Sequence, residues 1–230
     1  MNRLCAGVLV AGVLAIGLFV SIDLSTHSIA PLRLNHTSLS VRDSGAVNAV
    51  SAILFDYRAL DTLGEATVIL MTASVVAFLT PRAKATMLAV RLSSIVLYGV
   101  VLLLPFITIL GVAVMAHGHV SPGGGFTGGV IVATSTVFYA VVYSAGGQQS
   151  YVIAPGTNKI IENTAMASFL GVGLVGLGLG GSFLANAATG IPLGEPGALL
   201  SAGTIPVLNL VSGVKVGVGL GIIVMSLFLE

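Results

Sequence analysis

Residues 117–129 read HGHVSPGGGFTGG, a stretch rich in glycine with a proline at its centre. It lies between two uncharged apolar runs, 92–116 and 123–147. A segment this poor in helix formers marks a turn. The runs on either side are long enough to cross a bilayer, for which about 20 apolar residues suffice. The fold therefore reads as membrane helices joined by a tight corner, with Pro122 in the first turn of the second helix, where no backbone donor is needed. The turn itself spans about six residues, a normal length between antiparallel helices.

The rest of the chain agrees. Of 230 residues, 56% are hydrophobic and 7% charged, with a net charge of +1. Soluble domains carry about 25% charged residues. So little charge cannot cover a water-facing surface, and lipid is the expected solvent. A net charge near zero also gives no field to hold nucleic acid. Further apolar runs fall at 4–22, 63–80, 163–194 and 205–227, the last interrupted only by Lys215. None alternates polar and apolar residues as a barrel strand does. The expected fold class is an all-α integral membrane protein, a bundle of about six transmembrane helices. The first run is 19 residues, longer than the roughly 7–15 of a signal peptide, and reads as a retained helix.

Basic residues in short loops set orientation. Arg3, Arg82, Lys84, Arg91 and Lys159 fall on one side if the six spans alternate. That side is expected to be cytoplasmic, with both termini, in a multi-pass protein of the cell membrane. Residues 23–45, read as a loop or hairpin, then face outward together with the HGHVSP turn and the Glu195 loop. Residues 46–80 are too long for one straight span. A break is expected near 56–62, with an amphipathic entry piece before the span. The basic loop at 81–91 suggests a boundary between two halves.

Charges at membrane depth are the candidates for chemistry, because each is expensive in lipid unless it faces protein, water or an opposite charge. DYRALDTLGE holds Asp56, Arg58, Asp61 and Glu65 within ten residues. Asp61 and Glu65, four apart, share a helix face. The group reads either as an interfacial cluster neutralised by Arg58 or as an ion or proton relay; tolerance of charge at span ends favours the former. Lys215 lies mid-span, too deep for its stem to reach the interface. It sits within Gly213-xxx-Gly217-xxx-Gly221, a spacing that admits another helix closely, and so reads as facing a protein partner or a wet cavity. Glu162, beside Lys159, reads as an interfacial charge.

GVGLVG at 171–176 has dinucleotide-fingerprint spacing but lies in a membrane run without the acid that motif requires. The glycines from Gly171 to Gly181 read instead as a smooth packing face. His117-x-His119 lacks a third ligand, so no metal is expected. The single cysteine, Cys5, cannot form an intrachain disulfide or hold an iron–sulfur cluster alone. At the opening corner, Gly124, Phe126 and Gly128 suggest a small–large packing face. The glycine amides could attract an anion, though a well-packed corner is the simpler reading.

At GHVSPGGGFTGG the sequence resembles the B subunit of multisubunit Mrp-type sodium/proton antiporters, whose pattern is GHxxPGGGFxGG. Gly118, His119, Pro122, Gly123, Gly124, Gly125, Phe126, Gly128 and Gly129 occupy every fixed position. Upstream, NAVSAILFDYRALDTLGE is similar to NVVNVILVDFRGFDTLGE, from the C-terminal part of the antiporter A subunit. It also resembles the small two-helix subunit of membrane-bound hydrogenases and sulfane reductases. Asn48, Asp56, Arg58, Asp61, Thr62, Leu63, Gly64 and Glu65 match, while Tyr57 and Ala59 depart.

The resemblance implies two family pieces fused, an A-like two-helix segment at 1–85 and a four-helix B-like domain at 86–230. It implies a non-enzymatic transport subunit that works with other membrane subunits in a lipid bilayer. Na⁺ or H⁺ would be cargo, with no resident cofactor. It makes Glu65, Asp61, Asp56 and Arg58 ion-path residues; Lys215 joins them on physical grounds alone. The same module within a redox-driven complex, or a purely structural scaffold, are the rival readings.

Overall fold

In the computed structural model, residues 36–80, 92–145, 155–179 and 181–227 are described. Residues from His36 onward form one compact unit. Among the described residues the structure is helical throughout, without strands. Helix α1 is His36–Ser44 and α2 is Ala49–Ala52, which continues into a π-helical turn at Ile53–Tyr57. Five long helices follow: α3 (Ala59–Leu79), α4 (Ser94–Ala116), α5 (Gly125–Ala145), α6 (Pro155–Gly178) and α7 (Ile205–Leu227). All five are long and apolar enough to cross a membrane. They correspond to five of the six predicted spans; the first, 4–22, lies outside the described residues.

The predicted break in 46–80 occurs at Arg58, whose backbone (φ −132°, ψ 37°) leaves the helical region between the π turn and α3. The π turn closes with a bond from Arg58 N–H to Ile53 C=O. A π turn displaces the regular ladder, and the Leu54 carbonyl is met instead by the Thr62 hydroxyl at 2.6 Å.

Two expectations about boundaries are corrected. The polar stretch 23–45 is not wholly loop, since 36–44 are helical. Helix α6 starts at Pro155, not near residue 163, so it carries Lys159 and Glu162 within it, and it stops at Gly178 well before 194.

Helices α3, α5 and α7 run parallel. Ala59, at the start of α3, and Ile205, at the start of α7, share one core cluster. Thr80, just past the end of α3, donates to the Ser226 carbonyl near the end of α7. Gly125, opening α5, meets Asn209 in the first turn of α7. Helices α4 and α6 run the other way. Segment 36–58, the turn 117–124 and the segment 181–204 therefore gather at one end. Phe55, Phe169, Leu184, Ile205 and Leu208 form the core cluster there, all nearly fully buried.

Glycine sets the spacing between helices. A Cβ on Gly125 would lie 2.3 Å from the Asn209 carbonyl oxygen and from Ser212 Oγ. On Gly129 it would lie 2.6 Å from Gly213 O, and on Gly213 2.9 Å from Gly125 O. So α5 and α7 touch backbone to backbone, as small residues in membrane helices allow. Gly128 turns the other way, against Gly111 and Met115 of α4. Thr108 and Ser135 add a 3.0 Å hydrogen bond between α4 and α5. The outer face of α4 is apolar, with Ile95, Leu102, Phe106 and Ile109 exposed.

Candidate functional site

The two signature stretches form one structure at the end where the turns gather. Asn48 caps α2 by accepting from Val50 N–H at 3.1 Å. Its amide group donates to the carbonyls of Gly118 (2.8 Å) and Ser121 (2.9 Å). Its backbone N–H donates to His119 C=O, and Ser51 Oγ donates to Gly118 C=O at 2.6 Å. The His119 ring is fully buried, with Nε2 3.2 Å from the Ala198 carbonyl oxygen. His117 is exposed, its Nδ1 2.9 Å from Ala113 O. The two histidines thus serve different contacts, and no cluster of metal-ligating residues occurs among the described residues.

Pro122 is not in the first turn of α5: the helix starts three residues later, at Gly125, and the turn is longer than expected. Gly123 and Gly124 have φ of +130° and +124°, reachable without strain only by glycine. The corner is packed, as the simpler reading had it, and its first helical amide is met from within the chain: Gly125 N–H donates to Asn209 Oδ1 at 2.8 Å. Phe126 is half-buried, while Gly124 lies beside Asn209 and Ser51.

The candidate ion-path residues separate into three places. Asp56 lies in the π turn beside Asn186 and Asp43. Burial pushes its carboxyl up to about 6; the Asn186 hydrogen bond pulls the other way, and the Asp43 charge adds a smaller upward push. Neighbouring Tyr57 donates to Asp43 Oδ2 at 3.1 Å. Its phenol is pushed up to about 12, first by burial and then by that bond to a carboxylate. Asn186 also accepts from Thr204 N–H at 2.9 Å, so Asp56 is anchored to the start of α7.

Arg58, Asp61 and Glu65 occupy the second place. Residues 59, 62, 66 and 73 form the buried stripe of α3. Arg58, Asp61 and Glu65 lie three and four residues apart on its flank, all exposed. Arg58 and Asp61 form an ion pair. Gly64, in the same flank, has no atom within 4 Å of a would-be Cβ. Glu65 lies seven residues into a spanning helix, so its carboxylate meets the membrane region from outside this chain's core.

Lys215 occupies the third place. It is 1% exposed, at the middle of α7, and interacts electrostatically with Glu162 of α6. Glu162 is 3% exposed, which corrects its reading as an interfacial charge. It belongs inside because α6 begins earlier than the uncharged run suggested. Gly213-xxx-Gly217-xxx-Gly221 flanks Lys215 as expected, facing Met115, Gly129 and Thr136 respectively. The glycines of α6 behave differently. Gly173 and Gly176 receive Phe183, Ser182 and Ala185 of the chain's own returning segment, while Gly171 and Gly178 meet nothing within 4 Å.

Sequence reading missed Asn209 and Asn186, and misplaced Glu162. Asn209, an amide in an apolar run, was the available signal; the partners of the other two come from distant segments.

Residues 95–222 match the family described as a domain related to the MnhB subunit of Na⁺/H⁺ antiporter. The chain is 29% identical to an uncharacterized protein of Methanocaldococcus jannaschii, over 75% of this chain and 74% of that one. Among solved structures it is similar to a chain of the membrane-bound sulfane sulfur reductase, an archaeal respiratory membrane complex. That match has a TM-score of 0.75 and 30% identity, covering 99% of this chain and 100% of the other. It is also similar to a chain of the Mrp complex from Dietzia sp., with a TM-score of 0.68 and 22% identity, over 99% of this chain and 26% of that chain. The Dietzia similarity is one of fold.

Proposed function

Because this chain belongs to the family of domains related to the MnhB subunit of Na⁺/H⁺ antiporters, we propose that it acts as an integral membrane subunit of a multisubunit sodium/proton antiporter module. In that module it contributes to the ion path and to assembly, and is not itself an enzyme. One observation carries the reading. Asp61, Gly64 and Glu65 lie exposed together on one flank of a membrane-spanning helix. A carboxylate there is costly against lipid. A neighbouring subunit or a hydrated path between subunits removes that cost. Glu65, with Asp61 beside it, then offers hard oxygens to Na⁺ or H⁺ as cargo, and Arg58 holds Asp61 in place. Asp56 and Lys215 stand as further ion-path residues.

The chain is read as two family pieces fused, 1–85 and 86–230, with both termini cytoplasmic and the turn at 117–124 outside. No resident cofactor is assigned to it. The test is Glu65→Gln in the intact complex. Exchange is expected to fall at least tenfold with subunit composition unchanged. Exchange equal to wild type overturns the role, and a triple change at Asp61, Glu65 and Lys215 that leaves transport intact points to a scaffold.

A second reading places the same module in a redox-driven complex. It rests on the 30% identity to a chain of the sulfane sulfur reductase complex across the full length of both chains. Purifying the native assembly separates the two, because redox subunits accompany the chain in one case only.

A further inference from the structure

Apart from the exposed flank of α3, the described spanning helices hold two ionisable side chains in the interior, Glu162 and Lys215. Neither Glu162 Oε1 nor Lys215 Nζ has a hydrogen-bond partner. The helices that carry them, α6 and α7, pack together, and the two groups interact electrostatically. Glycine makes the room: a Cβ on Gly219, one turn beyond Lys215, would lie 3.0 Å from Glu162 Oε1 and 2.8 Å from Ile69 Cγ2 of α3. Any other residue at 219 would crowd the carboxylate.

A buried carboxylate and ammonium left without hydrogen bonds cost several kcal/mol. Such groups in native proteins are met by ordered water or change their protonation. No group of three metal-ligating side chains occurs among the described residues, and the ammonium of Lys215 competes for the Glu162 carboxylate. What the pair can exchange is a proton, carried by bridging water.

We propose that Glu162 and Lys215, spaced by Gly219, form an internal proton-holding pair: a second ionisable station in mid-membrane, separate from the Asp61–Glu65 flank. Starting from ammonium and carboxylate, a Nζ–H bond breaks as Nζ gives its proton to the bridging water. That water gives a different proton to Glu162 Oε1. The pair becomes amine and carboxylic acid, with one proton moved across the seam and net charge unchanged. Reprotonation of Lys215 from one side and loss of the proton from Glu162 to the other resets it.

The charged groups acting on Glu162 are Lys215 and, one turn earlier on its own helix, Lys159, which is exposed. Helices α4 and α5 bring no charged residue. Helix α3 brings Ile69, with Glu65 one turn away on the exposed flank.

The purpose of this pair rests on the transport reading, but its test does not. Infrared difference spectra of the purified complex between pH 5 and 9 read carboxyl protonation directly. A titrating carboxylic-acid band is expected in wild type and in Glu65→Gln, and is expected to vanish in Glu162→Gln. Lys215→Met is expected to shift the pH at which the band appears by about one unit or more, since a neighbouring charge is removed. If Glu162→Gln does not assemble, the double change Glu162→Gln with Lys215→Met removes both charges together and serves instead. A spectrum in which no titrating band is lost with Glu162, or in which the band ignores Lys215, overturns the proposal and leaves a static ion pair. Failure of the transport reading is recorded separately, as normal exchange by Glu65→Gln.

Discussion

Asn209 of α7 accepts a 2.8 Å hydrogen bond from the backbone N–H of Gly125, the first residue of α5. One side chain thereby satisfies a buried backbone donor at the start of a neighbouring helix. The glycine corner and the C-terminal helix are for this reason a single unit. Replacing Asn209 with Leu leaves a buried donor unmet, worth about 1–3 kcal/mol. The solubilised complex is expected to melt at lower temperature, and an unchanged melting curve contradicts the cap.

Asn48 joins the two signature stretches through carbonyls of Gly118 and Ser121. Asn48→Ala removes both bonds and the cap on α2, at about 1 kcal/mol for each hydrogen bond. Asn48→Asp keeps the cap but sets a carboxylate against two carbonyl oxygens, so it is expected to harm at least as much. Proteolysis of the 36–58 segment in the purified complex reads the loosening. Equal resistance in all three proteins denies the link.

Glycine contacts sort themselves by position. Gly129→Val forces a side chain into Gly213 O and Val216. Overpacking of this kind costs about 1–3 kcal/mol or more, and subunit incorporation is expected to fall. Gly171→Ala meets nothing within 4 Å and is expected to assemble as wild type does. Quantifying both variants in membranes checks the contrast, and equal outcomes contradict it.

Asp56 carries a pH dependence with a definite sign. Its carboxyl is pushed up to about 6, so the folded protein binds the proton more tightly than the unfolded chain does. The contribution of Asp56 to stability is full below the ordinary carboxylate range and is lost as pH rises through about 6. Asp56→Asn, which keeps a partner for Asn186, is expected to flatten the melting temperature between pH 4 and 7. A slope identical to wild type contradicts the assignment.

Much of this was legible in the sequence because lipid is an undemanding reader. Apolar runs near span length located α3, α4, α5 and α7, and the excess length of 46–80 called for a break near 56–62, which falls at Arg58. The position of Glu162 was not legible. Its burial depends on Gly219 leaving space on another helix and on α6 starting at Pro155, so that the charge rides inward. Pro122 misled for a similar reason. The start of α5 is set by Asn209 reaching Gly125, not by the residue with the best local preference for a first turn. The candidate ion-path residues read as one cluster along the chain, but the π turn parts Asp56 from Asp61 and Glu65.

The most direct test is a structure of the native assembly that resolves what lies against α3. The expected result is a neighbouring subunit or ordered water in contact with the Asp61 and Glu65 carboxylates, with Gly64 packed at that boundary. Acyl chains covering the same flank, with no other subunit or water near Glu65, contradict the account.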